Sequence, residues 1–209
     1  MKNDQTNVRR HIIETAQPII LGKGFSAVGL NEILVAADVP KGSFYHYFKS
    51  KEAFGEALLE CYFADYLERL DGILTYPGRS GADRLMTYWS LWTESQTQPG
   101  VEGKCLAVKL GAEVSDLSEP MCAVLEKGTN DIVTRIARCI KEGITDGSLP
   151  DNITPISIAT ALYEMWLGAS LLAKVRRDGS AFETAMAVTF KLLNLDAVMG
   201  RAPCPSQRR

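Results

Sequence analysis

The sequence predicts an all-α protein: a small N-terminal three-helix module followed by a helical body, about nine helices in all. Three observations carry that prediction. Apolar residues recur at intervals of three and four along every structured stretch, and no stretch alternates with the two-residue period of a strand. Proline and glycine gather at short breaks, at 75–81, 98–103, 149–153 and 178–180, which cut the chain into helix-sized pieces. Residues 30–51 read as two short helices joined by a tight turn, ahead of a much longer helix.

The first helix is expected over 6–22, with Val8, Ile12, Ile13, Ala16, Ile19 and Ile20 as its inward stripe. Pro18 lies inside it and is expected to bend it, because proline removes a helix hydrogen bond. Gly22 and Gly24 end it, and Phe25 plugs the junction. The second helix starts near Val28 or Gly29 and turns Leu30, Ile33, Leu34 and Ala37 inward. Asp38-Val39-Pro40 breaks it, since proline disfavours helical geometry in the residue before it. Pro40 to Ser43 opens the third helix, with Ser43 or its neighbourhood available as a cap. Phe44 and Phe48 share one face of this short helix, while Tyr45 and His46 point the other way. Lys41, Lys49 and Lys51 surround it with positive charge.

Ser50 caps a long fourth helix that starts at Lys51-Glu52 and runs to about Leu74. Helices follow over 82–98, 104–115, 118 to about 144, 154–177 and 180–199, the seventh and eighth opened by Pro120 and Pro155 in their first turns. Residues 201–209, with Pro203 and Pro205, are expected to be a disordered tail. The expected domains are 1–50, 51–200 and that tail.

The chain has 209 residues, is 46% hydrophobic and carries a net charge of −2. That length suits one or two compact domains with a sizeable core. The first 51 residues hold seven Lys and Arg against four acids, a net +3, so the remainder carries −5. A modestly basic module on an acidic body suits phosphate contact. With two histidines, His11 and His46, a histidine-rich metal centre is not expected. No glycine-rich phosphate loop is present, so neither a cofactor nor an enzymatic role is expected. The polar N-terminus is no signal peptide, and no apolar run is expected to be long enough to cross a membrane, so the expectation is a cytoplasmic protein with no membrane partner. Five scattered cysteines fit free thiols in a reducing compartment.

The short third helix has what a recognition helix needs: an inner face anchored to a core, and outer polar groups that reach base edges and phosphates. The run Gly42-Ser43-Phe44-Tyr45-His46-Tyr47-Phe48-Lys49-Ser50-Lys51-Glu52 closely resembles the signature of the tetracycline-repressor (TetR) family. The resemblance implies a helix-turn-helix DNA-binding domain followed by a helical regulatory and dimerisation domain. It implies a homodimer that binds a palindromic operator in double-stranded DNA, joined through a four-helix bundle of the last two helices, with Ala169 and Leu193 expected at the joining surface. Lys41, Tyr45 and His46 are then expected at bases or their immediate phosphates and Tyr47 and Lys51 on the backbone, with Gly42 and Ser43 also among the DNA-binding residues. Many members place a threonine at the start of the second helix; this chain has Gly29-Leu30-Asn31, leaving Asn31 or Ser26 for that contact.

Two places in the body are candidates for a sensor. Tyr88, Trp89, Trp92 and Trp166 suit an apolar ligand pocket, or plain core packing. Cys105 lies at the start of a helix, where free amides and the nearby Lys104 and Lys109 favour a thiolate. Cys61, Cys122 and Cys139 sit inside amphipathic helices and read as core, and Cys204 falls in the tail. The stretch 103–119, with 166–175 later, resembles a subgroup of the same family. That resemblance implies release of the repressor by a small reactive effector, an electrophile or oxidant, with Cys105 and Lys174 at the matching positions.

Overall fold

In the computed structural model, residues 2–97 and 105–195 are described. They form nine helices and no strand: α1 Lys2–Lys23, α2 Leu30–Ala36, α3 Lys41–Tyr47, α4 Lys51–Leu74, α5 Gly81–Thr97, α6 Leu106–Ser115, α7 Glu119–Thr145, α8 Pro155–Arg176 and α9 Ser180–Leu192. The expected tail, Cys204, Lys104 and the loop at 98–103 lie outside the described residues. Packing divides the chain into two compact units, one of residues 1–70 and 94–132, the other of 71–93 and 133–209. The first unit groups α4 to Leu70, α6 and the first half of α7 with α1–α3.

In the first unit, α1 continues through Pro18, which lies on its exposed side. Ile12, Ile13, Ala16 and Ile20 are fully buried beneath it. Asp38, at φ 52, turns the chain after α2, a left-handed conformation that aspartate tolerates better than most residues. The N-cap of α3 is Pro40 and not Ser43, which lies inside the helix; proline's fixed φ already suits the entry, and no side chain caps it. Phe44 is fully buried. Its ring meets Phe48 at 5.1 Å and Phe54 of α4 at 5.5 Å, so α3 is pinned to the long helix. Ser50 caps α4, its Oγ accepting the Ala53 amide at 3.1 Å.

In the second unit, α5 begins against the end of α7. The Gly81 amide donates to Asp146 Oδ2 at 2.7 Å, and a Cβ on Gly81 would lie 2.4 Å from Gly143 Cα, so only glycine permits this approach. Arg84 is buried and donates to Glu142 Oε2 at 2.8 Å and to the Leu74 carbonyl at the end of α4. Buried charge of this kind is tolerable only when paired.

The α8 helix corrects the membrane expectation in part, since by length and composition alone it is apolar enough to cross a bilayer. Its inner face, with Leu162, Trp166 and Ala169, instead packs in the unit's own core beside α9. The α9 helix ends at Leu192, short of the expected 199. Asn194 at φ 53 explains the stop, since asparagine readily takes the left-handed position that closes a helix. Residues 196–199 lie outside the described residues.

Candidate nucleic-acid interface and sensor

The exposed face of α3 carries Lys41, Gly42, Tyr45 and His46, with Ser43 and Tyr47 half-buried beside them. Asn31 is exposed on α2. The aromatic anchor beneath leaves Tyr45 half exposed at 50% and directs it outward. A rigid element that presents hydroxyl, imidazole and ammonium groups together matches the chemistry of base edges and phosphates. Lys51, expected on the DNA backbone, donates from its Nζ to the Phe25 carbonyl at 2.8 Å and lies 4.8 Å from that ring's centroid. His11, on α1, comes within 3.0 Å of the Ala37 carbonyl and braces the end of α2.

Cys105 is the N-cap of α6 and not a residue of its first turn, and it is buried, at 5% exposure. The helix begins two residues later than expected, at Leu106, where Tyr62, on α4, takes over the cap. Its hydroxyl accepts the Leu106 amide at 3.3 Å and donates to Cys105 Sγ at 3.6 Å. Lys109 Nζ donates to the Gly22 carbonyl at 3.4 Å. Cys61 and Cys122 are half-buried and not core, because each sits at the margin of its helix's apolar face. Cys139 is core: burial pushes its thiol up to about 11. Burial likewise raises the Cys61 thiol, with Asp65 adding to it. Lys174 lies exposed in the last turn of α8. It belongs to the second unit and Cys105 to the first.

The four pocket candidates do come together in the second unit. Trp89 stacks on Trp166 at 4.8 Å, Trp92 packs edge-on against Trp166 at 6.3 Å, and Tyr88 lies tilted against Trp89 at 4.5 Å and edge-on to Trp92 at 5.8 Å. Two of the indoles have buried hydroxyl partners, Trp92 Nε1 to Ser170 Oγ at 2.9 Å and Trp166 Nε1 to Thr189 Oγ1 at 3.0 Å. Trp89 Nε1 is buried and has no hydrogen-bond partner among the described residues.

Residues 12–58, which contain this interface, match the profile of bacterial regulatory proteins of the tetR family, and residues 81–189 match that of a tetracyclin repressor-like C-terminal domain. The chain belongs to the tetR family. It is therefore a helix-turn-helix transcriptional regulator. Among its tetR-family relatives is the HTH-type transcriptional repressor NemR of Escherichia coli K12, 38% identical over 94% of this chain and 99% of that one. Another is the HTH-type transcriptional repressor DhaR of Mycobacterium sp. strain GP1, 32% identical over 90% of this chain and 93% of the relative. The crystal structure of E. coli NemR in its reduced form superposes with a TM-score of 0.85 at 40% identity, covering 90% of this chain and 97% of that one.

Two residues of this tetR-family chain went unmarked as functional in the sequence. Tyr62 reads only as one more member of α4's apolar stripe, and its hydroxyl gives no sign of Cys105. Glu113 accepts the backbone amides of Phe25 at 3.1 Å and Ser26 at 2.5 Å, at the turn between α1 and α2. The one signal for Glu113 is its place beside the buried face of Leu106, Leu110 and Val114, where an acid needs a partner.

Proposed function

We propose that the protein is a cytoplasmic repressor that binds a palindromic operator as a homodimer and leaves it when a reactive electrophile or oxidant modifies Cys105. The observation that carries the thiol reading is the position of Cys105 at the start of α6, a helix whose other end grips the turn leading into α2. An activated alkene such as a maleimide adds without a leaving group: the sulfur bonds one alkene carbon and the thiol proton ends on the other. A bulky adduct on a residue at 5% exposure overpacks its surroundings, which typically costs about 1–3 kcal/mol. DNA contact falls to Lys41, Gly42, Ser43, Tyr45, His46 and Tyr47 on α3 and to Asn31 on α2.

The dimer is supported by the apolar residues that α8 leaves uncovered. Leu171, Leu172 and Val175 share one face near its end, with exposures from 42 to 70%. Contiguous exposed apolar surface of this kind marks an interface. Ala169 and Leu193 are buried within the single chain and do not belong to that surface.

The test is operator retention. Wild-type protein on DNA from upstream of its own gene should be released by brief treatment with limiting maleimide, and Cys105→Ser should bind but resist release. Equal release of both overturns the thiol reading. A second reading, a ligand-induced repressor with Cys105 structural, is favoured by Trp89 Nε1. A neutral ligand with a carbonyl acceptor would satisfy that buried donor, whose isolation costs about 1–3 kcal/mol.

A further inference from the structure

The turn between α1 and α2 is gripped from several directions within the first unit. Gly24 takes φ +96, which turns the amides of Phe25 and Ser26 toward α6. Glu113 accepts both, Oε2 from Phe25 at 3.1 Å and Oε1 from Ser26 at 2.5 Å. A Cβ on Gly24 would stand 2.9 Å from Glu113 Oε2, so the carboxylate occupies the space that glycine leaves. Lys109, one turn earlier on α6, takes the Gly22 carbonyl, and Lys51 takes that of Phe25. The Phe25 ring is itself buried beside Gly55. Burial would push Glu113 up, but the amides of Ser26 and Phe25 and the charge of Lys109 outweigh it and hold the carboxyl below its ordinary range.

This turn is the only covalent link between α1 and the recognition pair α2–α3, and it sits directly before them. The same α6 that ends at this grip begins at Cys105, about 12 Å away along its axis. A rigid helix of ten residues passes a displacement at one end to the other.

We infer that Glu113 is the positioning residue through which α6 sets the α1–α2 turn, and hence α2 and α3, for DNA, and that modification of Cys105 frees the operator by loosening this carboxylate–amide grip. The coupling half rests on the thiol reading above; the positioning half does not. Two amides lose a charged acceptor in Glu113→Ala. The isolated variant should bind operator about tenfold or more weakly, the scale of one charge-assisted hydrogen bond. Glu113→Gln keeps one carbonyl acceptor but turns its amide group toward the second donor, so its affinity should fall between the two.

The experiment measures operator affinity by anisotropy and amide hydrogen exchange for wild type, Glu113→Ala and Glu113→Gln, each before and after full alkylation of Cys105 with N-ethylmaleimide. In wild type, alkylation should speed exchange at Phe25 and Ser26 and weaken binding. In Glu113→Ala these amides should exchange fast from the start, and alkylation should add little further loss of affinity. If Glu113→Ala does not fold, Glu113→Gln carries the comparison. Operator affinity of Glu113→Ala or Glu113→Gln equal to wild type overturns the positioning role. Release of wild type with unchanged exchange at Phe25 and Ser26 overturns the coupling. Retention of operator by fully alkylated wild type overturns the thiol reading, and the coupling with it, while weak binding by Glu113→Ala would still uphold the positioning role.

Discussion

The phenol of Tyr62 stands 3.6 Å from Cys105 Sγ, and the same oxygen receives the Leu106 amide at 3.3 Å. One hydroxyl on α4 thus serves both as the cap of α6 and as the polar neighbour of its thiol. The bond holds the sulfur in one orientation, so Tyr62→Phe should slow alkylation of Cys105, by up to about tenfold if the bond is worth 0.5–1.5 kcal/mol. It should also lower the melting temperature slightly, since the Leu106 amide loses its acceptor. Timed mass spectrometry with limiting maleimide reads the rate; a rate equal to or above wild type would show that the phenol does not assist the sulfur.

Cys139 should remain unmodified under conditions that label Cys105 at neutral pH. Burial holds the Cys139 thiol at about 11 in the folded chain, against an ordinary value of 9.0. The fold therefore favours the neutral thiol. Its contribution to stability is complete below pH 9.0 and is lost as pH climbs toward 11. Melting temperature measured from pH 8 upward should fall more steeply for wild type than for Cys139→Ala. Parallel curves would mean that this thiol does not govern alkaline stability.

Charge on the uncovered face of α8 should separate the protomers. Leu171→Glu or Val175→Asp should yield a folded monomer that binds operator poorly, because a single recognition helix lacks its second half-site. Leu193→Glu should instead unfold the chain, Leu193 being fully buried within it. Light scattering at micromolar concentration with circular dichroism distinguishes the two; a dimeric Val175→Asp would place the interface elsewhere.

The two lysines flanking α3 should behave differently toward salt. Lys41 is exposed, and its loss should reduce the slope of log affinity against log salt by about 0.9, one phosphate contact. Lys51 is engaged with the Phe25 carbonyl, so Lys51→Ala should weaken binding and lower the melting temperature while leaving the slope nearly unchanged. A reduced slope for Lys51→Ala would assign it a phosphate after all. His46→Ala should change sequence preference and leave non-specific binding intact, which selection from a random duplex pool would reveal.

The helices and the DNA-facing motif are legible in the chain itself, for a local reason. Phe44 and Phe48 are four residues apart, so any helix through them buries both on one face and turns Tyr45 and His46 away. Ser50 announces the start of α4 by the same short-range chemistry. Periodicity says which face of a helix is apolar, but it does not name the partner. That is why Ala169 and Leu193 read as candidate dimer surface and are buried within the chain, and why Lys51 read as a phosphate ligand and holds Phe25. The start of α6 lies two residues beyond the expected 104 because the cap comes from Tyr62, 44 positions away from Leu106. Glu113 meets the amides of Phe25 and Ser26 across separations of 88 and 87 residues. Contacts of that range depend on how α4, α6 and the first turn pack in three dimensions, and only the tertiary structure decides them.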